Sequence, residues 1–223
     1  MNWLTASLRS SVGKKFVMGL TGLFLCSFLV MHLAGNLLLF AGAEMYNEYA
    51  HKLHAMGGLL VVAEVLLFGG FAVHIYLAVV TTRENLAARS QGYALRKSKK
   101  EDAVLKSAIS PENTMFISGA IIFLYLMLHL ADFKFGLTGA GDEMAPFDKA
   151  KYLMSCGWRA LAYAAASITV GYHVSHGFSS AFQSLGLNHP KYNGAIRKLS
   201  ITLAILLAAG FLMVSLWGVF VAK

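Results

Sequence analysis

Five long apolar stretches alternate with short polar ones along the chain, at about 16–42, 57–82, 111–135, 152–184 and 195–221. Each is at least as long as the roughly 20 residues a helix needs to cross a bilayer core. The pattern predicts an all-α membrane protein, a single domain over 1–223 built as a five-helix bundle. Pro111, Pro146 and Pro190, the only prolines, stand at approaches to spans, where a missing N–H does no harm. Ser110-Pro111-Glu112 reads as an N-cap, a first-turn proline and a first-turn acid opening the third span. Residues 1–15 place Trp3, Leu4 and Leu8 among Ser, Thr, Arg9, Lys14 and Lys15, which suits a short helix at the membrane surface. The first apolar run is longer than a signal-peptide core and no small-residue cleavage site follows, so it is expected to remain as the first span.

Composition agrees: of 223 residues, 57% are hydrophobic and only 13% charged, a balance suited to several spans. The net charge of +8 forms no basic stripe with interleaved aromatics, as a nucleic-acid surface would. Instead 13 of the 19 Lys and Arg residues fall in the N-terminus, the 83–110 connection and the 191–198 approach. The others are Lys52, Lys134, Lys149, Lys151, Arg159 and Lys223. The positive-inside rule then sets the N-terminus and the long basic connection in the cytoplasm and the C-terminus outside. Cys26 and Cys156 have no Cys-x-x-Cys partner, so neither zinc binding nor covalent haem attachment is indicated.

Candidate chemistry lies in four histidines, one in each of the first four spans: His32, His74, His129 and His173. An ionisable side chain inside a span marks a functional site by default. With the orientation above, His32 and His129 belong to the outer half of the bundle, and His74 and His173 to the inner half. At 1.5 Å per residue the two layers are about 10 to 18 Å apart. A six-coordinate haem iron accepts two imidazoles on opposite faces, and its apolar porphyrin suits a bundle core. The expectation is therefore two b haems, an outer one on His32 and His129 and an inner one on His74 and His173. Gly35, Gly70 and Gly177, each one turn from a histidine, leave room for a flat ligand. His176, three residues after His173, is a rival ligand, whereas His51 and His54 lie outside the apolar core.

The four-helix histidine pattern, with His32-Leu-Ala-Gly-Asn36, His74-x-x-x-Ala78 and His173-x-x-x-Gly177-x-x-x-x-Phe182, resembles the dihaem cytochrome b membrane-anchor subunit of succinate:quinone oxidoreductases. That family includes succinate dehydrogenase and quinol:fumarate reductase, and the resemblance covers nearly the whole chain. It implies a multi-pass subunit of a bacterial cytoplasmic (inner) membrane that holds a flavoprotein and an iron–sulfur subunit on the cytoplasmic face. It further implies two haem b groups, axial ligands at His32, His74, His129 and His173, a respiratory electron-transport role, and exchange of electrons with a quinone, expected to be menaquinone. Dimerisation of the whole complex is compatible with it. Some dihaem fumarate reductases carry a glutamate two residues before the fourth-span ligand that serves a proton path; here that position is Gly171.

No flavin or nucleotide fingerprint and no iron–sulfur cysteine cluster occurs, so the chain is not expected to oxidise succinate alone. The quinone is expected toward the outer side, where Glu44, Glu48, His51 and His54 stand at the mouth and Glu64 lies seven residues into the second span. Glu64 is read as the sole carboxylate well inside a span, carrying a proton for the quinone, acting as a structural donor, or answering Arg159. An inner quinone site is the alternative. Arg83, Arg89 and Arg159 are candidates to neutralise haem propionates. Two other function classes stand beside this reading: a dihaem anchor of another quinone-linked oxidoreductase, such as a nitrate reductase or hydrogenase, and a transporter using histidines for metal ions or protons.

Overall fold

The computed structural model describes residues 2–88, 111–140 and 143–221. Among these the protein is all-α, with eight α-helices. Helix α1 (Trp3–Arg9) leads through Ser10 into α2 (Ser11–Leu37), which ends in a 3-10 turn, Leu38–Ala41. Then come α3 (Ala43–Ala55) and α4 (Gly58–Ala87), followed by α5 (Pro111–His129) with a π-helical segment, Leu130–Lys134. Helices α6 (Pro146–Ser155), α7 (Gly157–Ser184) and α8 (Pro190–Val221) complete the chain.

Four of these stretches are long and apolar enough to cross a membrane: Ser11–Ala41, Gly58–Ala87, Thr114–Lys134 and Pro190–Phe220. The chain therefore reads as a multi-pass membrane protein. Helix α7, at 28 residues, has the length to span but is not among the four. Its position explains this. It packs against α8, α5 and α2 and buries a run of small or polar residues, including Ala160, Ala164, Ser167 and Gly171. A helix enclosed by other helices presents little surface to lipid and need not be strongly apolar.

Local chemistry sets the boundaries and shifts several from those expected. Helix α2 begins at Ser11 because the Ser10 hydroxyl accepts the Gly13 N–H at 3.0 Å, an N-cap. Lys14 and Lys15 therefore lie inside the first long helix rather than before it. A Cβ at Gly13 would run into the Ser7 carbonyl, so the bend after α1 requires glycine. The fourth predicted span is divided: extended backbone at Cys156 separates α6 from α7. The polar stretch after the first span is itself helical, as α3. Asn47 of α3 accepts the Phe147 N–H at 2.9 Å, capping α6 from another element.

The most extensive helix contact is between α7 and α8. A Cβ on Gly171 would sit 2.6 Å from the Ala208 Cβ and 2.8 Å from the Ala204 carbonyl oxygen. Ser200 adds a hydrogen bond to the Ser175 carbonyl at 2.9 Å. Small residues and hydroxyls are the usual means of joining helices where apolar burial gives no preference over lipid. Cys26, Val170, Val174, Ala204 and Leu207 form the central core, flanked by Leu29, Ile122 and Phe211. At one end Lys14 pairs with Glu84, fastening the start of α2 to the end of α4.

Candidate functional site

Two of the four histidines meet ring to ring. The His32 and His129 rings lie 5.7 Å apart, centre to centre, and nearly perpendicular at 85°. Phe28 stacks on His32 at 5.2 Å, and Phe211 stands 5.9 Å from it. Around His129 are Phe133 at 5.3 Å, Tyr125 at 5.8 Å and Tyr163 at 5.9 Å. The His129 Nδ1 is buried and has no hydrogen-bond partner, although a buried ring nitrogen ordinarily finds one.

His74 on α4 and His173 on α7 stand at a second level of the bundle. Each ring is held by a hydroxyl on a neighbouring helix. The Thr21 oxygen lies 3.2 Å from the His74 Nδ1, and the Ser118 oxygen 2.9 Å from the His173 Nδ1. Two glycines face the same rings: a Cβ on Gly22 would stand 3.3 Å from the His74 Cε1, and one on Gly119 3.5 Å from the His173 Cε1.

Thr21 precedes His32 by eleven residues on α2, and Ser118 precedes His129 by eleven on α5. Eleven residues make about three turns and 16 Å, so on both helices the two positions share a face at the same separation. Helices α2 and α5 thus serve both levels, with the apolar core around Cys26, Leu29 and Ile122 between them.

This donor set fits a planar macrocycle better than a bare ion. Among the described residues no three His, Cys, Asp or Glu side chains gather as a bare ion would require. A haem supplies four equatorial nitrogens and needs only two axial ligands. Two imidazoles at about 2 Å on opposite sides of one metal have ring centres about 6 Å apart, close to the observed 5.7 Å. The glycines facing His74 and His173 agree with that fit.

Of the three glycines expected to make this room, two do something else. A Cβ on Gly35 would collide with the Tyr49 ring, at 2.6 to 2.8 Å, and one on Gly70 would meet Phe24 at 3.0 Å. Both seat aromatic side chains from neighbouring helices. Gly177 stays near His173, with the nearest ring atom 4.0 Å away. Gly171 has no space for a longer side chain, so the close approach of α7 and α8 leaves no place there for a proton-carrying glutamate.

The carboxylates differ from expectation. The carboxylate buried in the bundle is Asp132, which is fully buried in the π-helical segment directly after His129. It accepts hydrogen bonds from the Tyr163 hydroxyl at 2.9 Å and from the Thr138 hydroxyl, and pairs with the Arg159 Nε at 3.3 Å. Arg159 also donates to the Thr138 carbonyl at 3.0 Å. Arg159 therefore answers Asp132, not Glu64. Glu64, its side chain 34% exposed, pairs instead with Lys134 at 2.5 Å, because α4 and the end of α5 bring these two to one edge. Asp132 was visible in sequence as an acid inside the third apolar run, whereas Thr21 and Ser118 carry no charge to single them out.

At the far end from Lys14 and Glu84, a cleft of about 540 Å³ lies between α3 and the start of α6, lined by Asn47, Glu48, Ala50, His51, His54, Ala145 and Pro146. Three of the residues expected at the outer mouth thus share one cleft. Glu44 stands in the first turn of α3 and is not part of its lining. Glu48 pairs with Lys52 at 2.6 Å, which holds its carboxyl below the ordinary glutamate range. Arg83 is exposed near the end of α4, beside Glu84. Arg89 and most of the basic connection lie outside the described residues. No family model, no curated protein and no solved structure matches this chain.

Proposed function

We propose that the chain is the membrane anchor and electron-transfer subunit of a succinate:quinone or quinol:fumarate oxidoreductase. It binds two b haems, the inner through His74 and His173 and the outer through His32 and His129. One observation carries this reading: four histidines, each on a different long helix, stand at two levels about three helical turns apart, with the His32 and His129 rings 5.7 Å apart at one of them. Helix α7 is the fifth span, enclosed among α2, α5 and α8; the N-terminus is cytoplasmic and the C-terminus outside.

A bound haem supplies one-electron redox chemistry. The protein's part is to bind, orient and exclude water. The four imidazoles would hold the two haems, and Phe28, Tyr125, Phe133 and Phe211 would keep the outer pair dry. The Lys14–Glu84 tie and the exposed Arg83 lie at the basic end, where the iron–sulfur and flavoprotein subunits dock and from which electrons pass to the inner level. The Asp132–Arg159 pair shields one buried charge with another beside the outer level, so Arg159 has a partner before any propionate arrives. Quinone, with menaquinone as the expected species, reacts toward the outer end, where Glu64 is bound to Lys134 and His51 and His54 line a cleft able to exchange protons with water.

The test is purification of the intact complex from its native membrane. A reduced b-type α band, flavoprotein and iron–sulfur subunits in the same particle, and succinate- or fumarate-linked quinone turnover are expected. A fully loaded sample without the band overturns both the haem assignment and the electron-transfer role. The band without succinate or fumarate turnover points to a dihaem anchor of another quinone-linked enzyme.

A further inference from the structure

Two hydroxyls that no charge pattern marks stand at the inner histidine pair, and their own hydrogen bonds determine which role they take there. The Thr21 hydroxyl donates within its helix, lying 3.0 Å from both the Val17 and Met18 carbonyl oxygens. The Ser118 hydroxyl donates to the Met115 carbonyl at 3.1 Å. A hydroxyl has one hydrogen. With that hydrogen directed at a carbonyl, each oxygen can only accept from the neighbouring imidazole, so His74 and His173 carry their hydrogens on Nδ1. Their Nε2 lone pairs are then free.

We infer that Thr21 and Ser118 are positioning residues for the inner haem: they fix the Nδ1–H tautomer of His74 and His173 and raise the electron donation of both ligands. The inference rests on the haem reading above. Partners of this kind on a ligand's second nitrogen fix ring orientation and raise ligand basicity, and their loss typically weakens metal binding 10- to 100-fold. Stronger donation favours the oxidised metal and lowers the centre's potential. The outer level is an internal contrast, because the buried His129 Nδ1 has no such acceptor. The arrangement also uses all four surrounding helices: Thr21 on α2 positions His74 on α4, and Ser118 on α5 positions His173 on α7.

Thr21→Val keeps the side-chain shape and removes the hydroxyl acceptor, leaving His74 only the Met18 backbone; Ser118→Ala removes the other hydroxyl, and Thr21→Ser restores one. In the intact complex, redox titration should show the inner haem potential raised in Thr21→Val and Ser118→Ala, by about 59 mV for a tenfold change in its one-electron equilibrium. The outer haem should be unmoved and Thr21→Ser should behave as wild type. The electron paramagnetic resonance signal of the oxidised inner haem should shift in the same two variants. In parallel, ¹⁵N spectra of the haem-free full chain in nanodiscs should show His74 and His173 as Nδ1–H tautomers, and each variant should lose that preference at one histidine. If a variant does not retain the inner haem, the tautomer spectrum decides. Unchanged potential, resonance signal and tautomer in Thr21→Val and Ser118→Ala overturn the positioning role. Absence of haem from the wild-type complex overturns the underlying reading, which is a different result.

Discussion

Arg159→Met tests the buried polar network beside the His32–His129 pair. Asp132 is fully buried and the Arg159 side chain is only 12% exposed, so the two charges compensate each other away from water. Removing the guanidinium leaves Asp132 with the Tyr163 and Thr138 hydroxyls but without its counter-ion. Breaking a buried pair from one side is destabilising by about 3–5 kcal/mol, whereas replacing both partners with apolar groups is often near neutral. Asp132→Leu alone should therefore be costly and the double variant Asp132→Leu/Arg159→Met much less so, giving a coupling of about 2 kcal/mol or more. Unfolding of the full chain in mixed micelles, followed by helical circular dichroism, reads all four corners of the cycle. Additive single effects within about 0.5 kcal/mol would refute the argument, since groups in one network couple and distant ones do not.

Gly171→Leu should separate α7 from α8, because even a Cβ there meets Ala208 at 2.6 Å; a fall of about 3 kcal/mol or failure to insert is expected, read by the same unfolding assay. Glu64→Gln should leave Lys134 unpaired and lower quinone turnover with both haems retained, while unchanged turnover would remove Glu64 from the quinone site. Glu48 should titrate below an ordinary glutamate, since hydrogen bonding and charge attraction from Lys52 favour its ionised form. Its pairing with Lys52 is therefore present above the ordinary carboxylate range and lost as pH falls through its lowered value, and Lys52→Ala should return the carboxyl upward in a ¹³C titration.

Hydropathy alone made much of this fold legible. The apolar runs and the prolines at their approaches located the long helices, and Pro111, Pro146 and Pro190 each open a helix. What stayed hidden depended on partners. Asn47 caps α6 from a hundred residues away, and Cys156 breaks the fourth run without a proline or glycine at that position. The central helix α7 was found by its length, yet its small polar residues are explained only by enclosure among α2, α5 and α8. In the site, depth counting along each run set His32 and His129 at one level, where their rings meet, and His74 and His173 at another, because the 1.5 Å rise suffices for that. Interhelical detail did not follow. Gly35 and Gly70 looked like ligand space and instead seat Tyr49 and Phe24, and Arg159 chose Asp132 over Glu64 because the π-helical segment turns Asp132 inward.

The most direct test of the central claim is a haem count, with redox titration, of the intact complex carrying His32→Ala, His129→Ala, His74→Ala or His173→Ala. Wild type should hold two b haems per chain. His32→Ala and His129→Ala should each lose the same one, and His74→Ala and His173→Ala should each lose the other, leaving the remaining potential recognisable. Loss of one shared centre by His32→Ala and His74→Ala, or retention of both haems by any of the four, would contradict the account.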